Sequence, residues 1–157
     1  MAPGELTKAD VSVAVGEGVA NFSPQAGPVG EGGQSLTTVQ LELLDDVIRE
    51  AERFTGLRFS VYVGDLGQNT GATADNLLSG LGAEAPAAVL LAVSPGQRVV
   101  EVVTGAAASR RVTDRAARLA VLAVVASCNE GDLGGSLVSG VRILADQAGT
   151  LPERSSW

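Results

Sequence analysis

The stretch that decides the fold is AAVLLAVSPGQRVVEVVTG, residues 87–105. Two runs rich in Val and Leu flank a short turn that contains Pro95 and Gly96. A connection this short joins antiparallel neighbours, because parallel strands need a crossover of a dozen or more residues. Both runs are almost continuously apolar, which is typical of strands covered on both faces. We therefore expect a β-hairpin at the centre of a sheet.

Helix and strand patterns alternate in the sequence before this hairpin. Apolar residues recur every three or four positions from about Thr38 to Phe54, which predicts a helix capped by one of its first threonines and ended by Gly56. Residues 57–64 (LRFSVYVG) alternate side chains as a strand with unequal faces does. A short helix is predicted over residues 72–81.

Two more helices are predicted after the hairpin. Thr113 is the expected N-cap of the first, with Asp114 in its first turn, where a negative charge suits the helix dipole. Its most apolar part, residues 119–126, predicts a buried helix and is far shorter than the roughly 20 residues that span a bilayer. Gly131 interrupts the pattern, and apolar residues at helical spacing predict a final helix over residues 133–148.

This order of elements predicts an α/β fold in which helices cover both faces of a mixed sheet. The simplest arrangement is a three-layer sandwich, with residues 57–64 and 88–94 as inner strands. Residues 1–35 are rich in Gly and Pro and are interpreted as an extended arm. The folded domain is expected over residues 36–148, followed by a flexible tail over residues 149–157.

The composition removes most familiar kinds of active site. The chain has no His and one Cys, so it lacks an imidazole base, a His metal ligand and an internal disulfide. A formal net charge of −7 disfavours nucleic acid and anionic lipid as general partners, because both are negatively charged. Acidic residues stand near the N-terminus where a signal peptide has basic ones, so secretion is not expected. We expect no catalytic residues, no cofactor, no metal site and no transmembrane anchor.

Four acidic residues near loops or helix starts are the candidates for binding a hard cation such as calcium: Asp65, Asp114, Glu130 and Asp132. Such positions are also typical of turns and helix caps. Since neither an EF-hand spacing nor a dense acidic loop is present, we favour capping and turn formation.

The glycine of VTGAAASRR, residues 103–111, follows a predicted strand, and a phosphate could lie there beside Arg110 and Arg111. The segment contains neither GxGxxG nor GxxxxGK[ST], which favours a plain turn. Arg111, Arg115 and Arg118 follow at spacings that place them on one helix face. That face is either solvated and paired with nearby carboxylates, or it binds an acidic surface of a protein partner.

Apolar side chains also occur in the two terminal segments. Val13, Val19 and Phe22 lie in the arm and are expected to contact a partner, whose surface would offset roughly 1 to 2 kcal/mol of backbone entropy per ordered residue. Trp157 in the tail either anchors to a partner or folds back on its own domain. Cys128 is expected to be a buried small hydrophobic residue.

Residues 36–148 resemble the TPM domain in the order helix, strand LRFSVYVGDL, short helix, strand AAVLLAVS, turn ending in Arg98, strand VVEVVTG and a helix opening with TDRA. The stretches FSVYVGDLG, VLLAVSPGQRVVEVVTG, DRAARLAV and EGDLGGSLVSGVRILADQAG more narrowly resemble an uncharacterised actinobacterial family of short TPM-related proteins. One member of that family associates with the cytochrome bcc–aa3 respiratory supercomplex. The resemblance implies a TPM-like three-layer fold. It also implies a cytoplasmic accessory subunit, held at the inner membrane by contacts with subunits of a respiratory membrane complex.

TPM proteins also include phosphatases and calcium binders. Many have a Gly before the apolar strand, two acidic residues before the turn Arg, and a Gly-aromatic-Gly after the next strand. Here the corresponding residues are Pro-Ala-Ala at 86–88, Pro-Gly-Gln at 95–97 and Gly-Ala-Ala at 105–107. These departures argue against metal-dependent hydrolysis. A non-catalytic accessory subunit is therefore the leading hypothesis, and a TPM-type metal-dependent phosphatase or a soluble protein that binds a small anion are the alternatives.

Overall fold

A computed structural model describes residues 36–150 of the chain. The predicted arm and residues 151–157 of the tail lie outside these residues. Four helices and three strands are present within them, in the order α1 (Thr38–Thr55), β1 (Arg58–Val63), α2 (Thr70–Ser79), β2 (Ala88–Ser94), β3 (Val99–Thr104), α3 (Asp114–Asn129) and α4 (Leu133–Ala148). Two short 3-10 turns, Gly82–Ala87 and Ala108–Arg110, precede β2 and α3.

The sheet has the strand order β1-β2-β3 and is mixed, as predicted. β1 pairs with β2 in parallel, and β2 pairs with β3 in the predicted antiparallel hairpin. Leu91 lies between Val61 and Val102 in this register. The expected inner position is confirmed for β2, whose residues are all buried. The same expectation is wrong for β1, which is an edge strand among residues 36–150 because β2 is its one neighbouring strand there.

Helices cover both faces of the sheet. On one face α4 packs between α1 and α3 and lies directly on the central strand, because a Cβ at Gly140 would be 2.9 Å from Leu91 Cδ2 and 2.8 Å from Val124 Cγ2 of α3. On the other face α2 packs over β2 and β3, with Ala74 and Leu78 buried. The structure is therefore a mixed α/β fold with helical layers on both sides of a three-stranded sheet.

Local sequence signals set the helix ends. The side chain of Thr37 caps α1 in a capping box with Gln40, and Gly56 ends α1 at φ 81°, a conformation that glycine adopts at little cost. Thr113 caps α3 as expected. Helix α2 begins at Thr70, two residues before the predicted start, because the side chain of Asn69 accepts a hydrogen bond from the backbone N–H of Ala72.

Candidate functional site

The buried polar site lies between the sheet and α2. Glu101 in β3 is fully buried, and Thr70 Oγ1 donates a hydrogen bond of 2.6 Å to its Oε2. The register places Glu101 beside Ala92 of β2 and in the same row as Tyr62 of β1. Because α2 covers this carboxylate, Glu101 joins α2 to the sheet and is closed to substrate.

The loop that follows β1 is held by the hairpin turn. Gln97 Oε1 accepts hydrogen bonds from the backbone N–H of Leu66 at 2.7 Å and from Ser94 Oγ at 2.6 Å, and Gln97 Nε2 donates to the carbonyl of Gly67 at 2.8 Å. Tyr62 Oη donates to the carbonyl of Asp65 at 2.7 Å. Burial, with a smaller contribution from Asp65, raises the pKa of Tyr62, so its hydroxyl stays protonated as a donor. The carboxyl ends of parallel strands often bind ligands. Here Gln97 and Tyr62 hold the loop that follows β1, and a cavity of about 290 Å³ lies beside Val93 and Ser94 at the end of β2.

The four candidate carboxylates lie at turns and helix ends, and two of them bind nearby backbone N–H groups. Asp65 Oδ2 accepts a hydrogen bond from the backbone N–H of Gly67, and Asp132 Oδ1 accepts one from Gly135 at the start of α4. Asp114 is in the first turn of α3, and Glu130 follows its last turn. Within residues 36–150 no three His, Cys, Asp or Glu side chains come together in a metal-binding arrangement.

The backbone around Gly105 is used internally. The N–H of Gly105 donates to the carbonyl of Ala88 at 2.9 Å, and the N–H of Ala107 donates to that of Pro86 at 2.9 Å. The next amides, from Ser109 onward, donate to carbonyls of the same turn. A phosphate cradle needs free N–H groups. The N–H groups of Gly105, Ala107 and residues 109–112 are already used within the protein, which favours the plain turn.

Arg111 has a structural role that its sequence spacing did not show. Helix α3 begins at Asp114, so the expectation that Arg111 shares a helix face with Arg115 and Arg118 is wrong. Instead, Arg111 Nη1 donates to the carbonyl of Thr55 at 2.9 Å, and Nη2 donates to three carbonyls at the end of α4, those of residues 148, 149 and 150. A cation suits the negative ends of two helix dipoles. The guanidinium thus joins the ends of α1 and α4.

Arg115 and Arg118 lie on the exposed face of α3, beside Leu119, Leu122 and Val125. We call these five residues the α3 ridge. Leu122 is 66% exposed, Leu119 45% and Val125 37%. Within residues 36–150, neither arginine of the ridge, nor Arg110 before it, forms an ion pair. These arginines are interpreted from the sequence either as paired with nearby carboxylates or as binding a protein partner. The pairing is not seen among residues 36–150.

The exposed leucines correct the expectation that residues 119–126 form a buried helix. The inner face of α3 consists of small residues, Ala116, Ala117 and Ala120, together with Val124. Helix α4 approaches this face so closely that its own contact residue is Gly140. Leucine does not fit between the two backbones, so the larger side chains of α3 are on the outside. Sequence hydropathy did not reveal this feature because both faces of the segment are apolar.

A second surface feature is a groove of about 640 Å³ along α1 and α4, which we call the α1–α4 groove. Its apolar lining includes Leu43, Phe54 and Ile143, and carboxylates stand along it, namely Asp46, Glu50 and Asp146. Leu43 is 47% exposed and Phe54 43%. The groove was not predicted, because the two helices that form it are far apart in sequence.

Cys128 lies partly buried at the end of α3, where its Sγ is 3.4 Å from Ser136 Oγ. Burial raises the pKa of the Cys128 thiol, although the hydrogen bond to Ser136 acts in the opposite direction. A thiol held in its protonated form is a poor nucleophile. Val13, Val19, Phe22 and Trp157 lie outside the described residues, so their role in partner binding stays a prediction.

The comparisons with known proteins place this fold in a family. The family model DUF5130, described as a domain of unknown function, matches residues 25–145. The chain belongs to the DUF5130 family. Two uncharacterised proteins, from the CDC 1551 and H37Rv strains of Mycobacterium tuberculosis, are each 40% identical to this chain over 112 residues, 71% of its length. The match spans 65% of those relatives' length. An uncharacterised actinobacterial family, as predicted, is thus confirmed.

A solved structure shares the fold of the DUF5130 chain. The NMR structure of the BA42 protein from Bizionia argentinensis is similar with a TM-score of 0.66, over 75% of this chain and 86% of that one. The sequences are 17% identical. A helix with the length and hydropathy needed to cross a membrane does not occur within residues 36–150.

Proposed function

We propose that this DUF5130 protein is a non-catalytic docking subunit whose α3 ridge binds an apolar, acidic surface of a partner protein. The observation that carries the proposal is the ridge itself, where exposed leucines lie beside arginines that have no carboxylate partner among the described residues. Exposed apolar patches mark protein interaction sites, and Arg is enriched in protein interfaces. The exposure of this surface supports the proposal.

The ridge can supply binding energy as well as orientation. Burying a leucine side chain contributes about 1.5 to 3 kcal/mol, and Leu122 is the most exposed member. Arg115 and Arg118 present planar guanidinium groups that bind carboxylates in a defined geometry. Because these arginines form no ion pair with residues 36–150, binding a partner does not require breaking one there.

The partner that we propose is a respiratory membrane complex, the cytochrome bcc–aa3 supercomplex. The narrow sequence resemblance to the prokaryotic respiratory supercomplex association factor, a TPM-related protein, supports this choice, and the actinobacterial relatives agree with it. In this proposal the protein lies on the cytoplasmic side of the inner membrane and is held there by protein contacts. The arm residues Val13, Val19 and Phe22, and Trp157 in the tail, add contacts to those of the ridge.

Co-purification from membranes tests the proposal. The full chain carrying an affinity tag is isolated from detergent-solubilised membranes, and the retained cytochrome content is measured from its absorbance. We expect the wild type to retain the complex and Leu122→Asp to lose at least about tenfold, since an unpaired charge in an apolar contact costs well over 1.4 kcal/mol.

Val39→Asp is the matched control. Val39 is 73% exposed on α1, away from the ridge, so the same change there keeps binding. If Leu122→Asp and Val39→Asp retain equal amounts of cytochrome, docking through the ridge is contradicted. Hydrolysis of a phosphate ester by the purified chain would instead support the phosphatase alternative.

A further inference from the structure

The α1–α4 groove is a second surface that the proposed docking through the ridge does not use. It runs between two helices that lie side by side in the same direction. At one end, Gln40 of α1 contacts Gly134 of α4, and at the other Arg111 joins the ends of both helices. The groove has an apolar floor that is partly open to solvent and a rim that carries negative charge.

We propose that this groove binds the α3 ridge of a second copy of the chain. The ridge and the groove are complementary in charge, and both have apolar side chains at their centre. The apolar residues of the ridge match the floor formed by Leu43, Phe54 and Ile143, and its two arginines match the acidic rim.

Charge complementarity favours this occupant. The groove carries three carboxylates, Asp46, Glu50 and Asp146, against one arginine, Arg142. Two of the carboxylates have weak partners on their own helix. Arg49 lies 3.8 Å from Asp46 and Arg53 lies 3.9 Å from Glu50, with all four side chains at least 60% exposed. Exposed pairs of this kind contribute about 0 to 1 kcal/mol, so an incoming guanidinium can compete with them.

The dimensions also agree. At a rise of about 1.5 Å per residue, the groove from Leu43 to Phe54 is about 16 Å long, and the ridge from Arg115 to Val125 is about 15 Å long. An amphipathic helix in an apolar groove is a recurrent mode of protein recognition.

The expected contact is heterologous, because the ridge and the groove are different surfaces of one molecule. Each dimer then keeps one open groove and one open ridge, so further copies can add. The contact is small, and a net charge of −7 per chain opposes association. We therefore expect weak self-association, with a dissociation constant on the order of 100 µM. The inference rests on the proposed function only in that both use the ridge. A copy that has docked its ridge on a membrane complex still has an open groove, which can bind the ridge of a second copy.

Sedimentation equilibrium on the purified full chain, without membranes, tests the proposal. We expect the average mass of the wild type to rise above 15.8 kDa with concentration. Leu122→Asn, in the ridge, and Leu43→Asn, in the groove, should each weaken association at least tenfold. Leu77→Asn, on α2 at the opposite face of the sheet, removes a partly buried leucine outside both surfaces and should associate like the wild type.

A mixture of the two defective variants gives the decisive result. The intact ridge of Leu43→Asn fits the intact groove of Leu122→Asn, so the mixture should form a dimer that stops at two chains. A charge exchange gives independent evidence, because Glu50→Arg and Arg118→Glu should each fail alone, whereas the double variant that carries both changes should associate again. Thermal unfolding of every variant shows that each is folded.

Three outcomes would overturn the proposal. A wild type that stays monomeric at 1 mM would exclude the contact, by the affinity scale above. A Leu43→Asn variant that associates normally would exclude the groove. A mixture that fails to associate, when each variant alone is also defective, would exclude the pairing of an intact ridge with an intact groove. None of these results affects docking on a membrane complex, which the co-purification tests separately.

Discussion

The hydroxyl of Thr70, at the start of α2, donates a 2.6 Å hydrogen bond to the fully buried carboxylate of Glu101 in β3. This bond joins the α2 layer to the sheet across a sequence distance of 31 residues. A buried carboxylate is costly unless hydrogen-bonded groups surround it. The pair is therefore a structural contact that fixes the start of α2 on the sheet, in addition to the packing of Ala74 and Leu78.

We expect Thr70→Val to lower the free energy of unfolding by about 1 to 3 kcal/mol, because it removes the hydrogen bond that Thr70 donates to the buried Glu101 carboxylate. Thr70→Ser keeps the hydroxyl and should cost less than half as much. Urea unfolding of the three proteins measures the difference. If the valine and serine variants lose the same stability, the hydrogen bond is not the source of the effect.

Arg111→Ala should lower the free energy of unfolding by about 2 to 4 kcal/mol, because four carbonyls at the ends of α1 and α4 lose a charged donor. Arg111→Lys should recover only part of this loss, since one ammonium group cannot reproduce the geometry of the guanidinium. Arg115→Ala, on the exposed ridge, is the matched control and should change stability by less than about 0.5 kcal/mol. Equal effects of the two alanine variants in urea unfolding would contradict the structural role of Arg111.

Gly105→Ala should destabilise the fold strongly. A Cβ at Gly105 would overlap the carbonyl oxygen of Ala85 and lie 2.6 Å from the carbonyl carbon of Pro86, and backbone atoms cannot move away as a side chain can. We expect a loss of about 2 kcal/mol or more in thermal or urea unfolding. Gly96→Ala, in the hairpin turn, has open space around the new methyl group and should be nearly neutral. A mild effect at Gly105 would show that the 3-10 turn before β2 lies further from β3.

Cys128 should react slowly with a disulfide reagent at pH 7 and faster as the pH rises. Burial raises the pKa of its thiol, so the reactive thiolate is a smaller fraction at neutral pH than in an exposed cysteine. The rate should be measured from pH 7 to 10, with the same protein unfolded in urea as the control. A folded protein that reacts as fast as the unfolded one at pH 7 would point to a functional thiol.

The sequence predicted the elements well because short-range signals set them. Gly56 and Thr113 end and begin helices as their chemistry requires, and the apolar runs around Pro95 form the predicted hairpin. The starting point of α2 was missed by two residues because Asn69 caps it. These outcomes depend on residues that are neighbours in the chain.

The surfaces were harder to predict because they depend on packing between distant elements. Leu122 belongs to a run of apolar residues, and only the close approach of Gly140 shows which side of α3 faces outward. Arg111 appeared to continue the spacing of Arg115 and Arg118, yet it lies before the helix and contacts residues about 40 to 60 positions away. Burial of Glu101 between valines of β3 follows from the α2 layer, which no local pattern revealed.

The central claim is that the α3 ridge contacts a respiratory membrane complex, and site-specific photo-crosslinking tests it most directly. A photoreactive phenylalanine analogue is placed at Leu122 or, as the control, at Val39, which is equally accessible on α1. After irradiation of intact cells, the crosslinked products are identified by mass spectrometry. We expect crosslinks from position 122 to a subunit of the cytochrome bcc–aa3 supercomplex, and none from position 39. Crosslinks to that complex from both positions, or from neither, would contradict it.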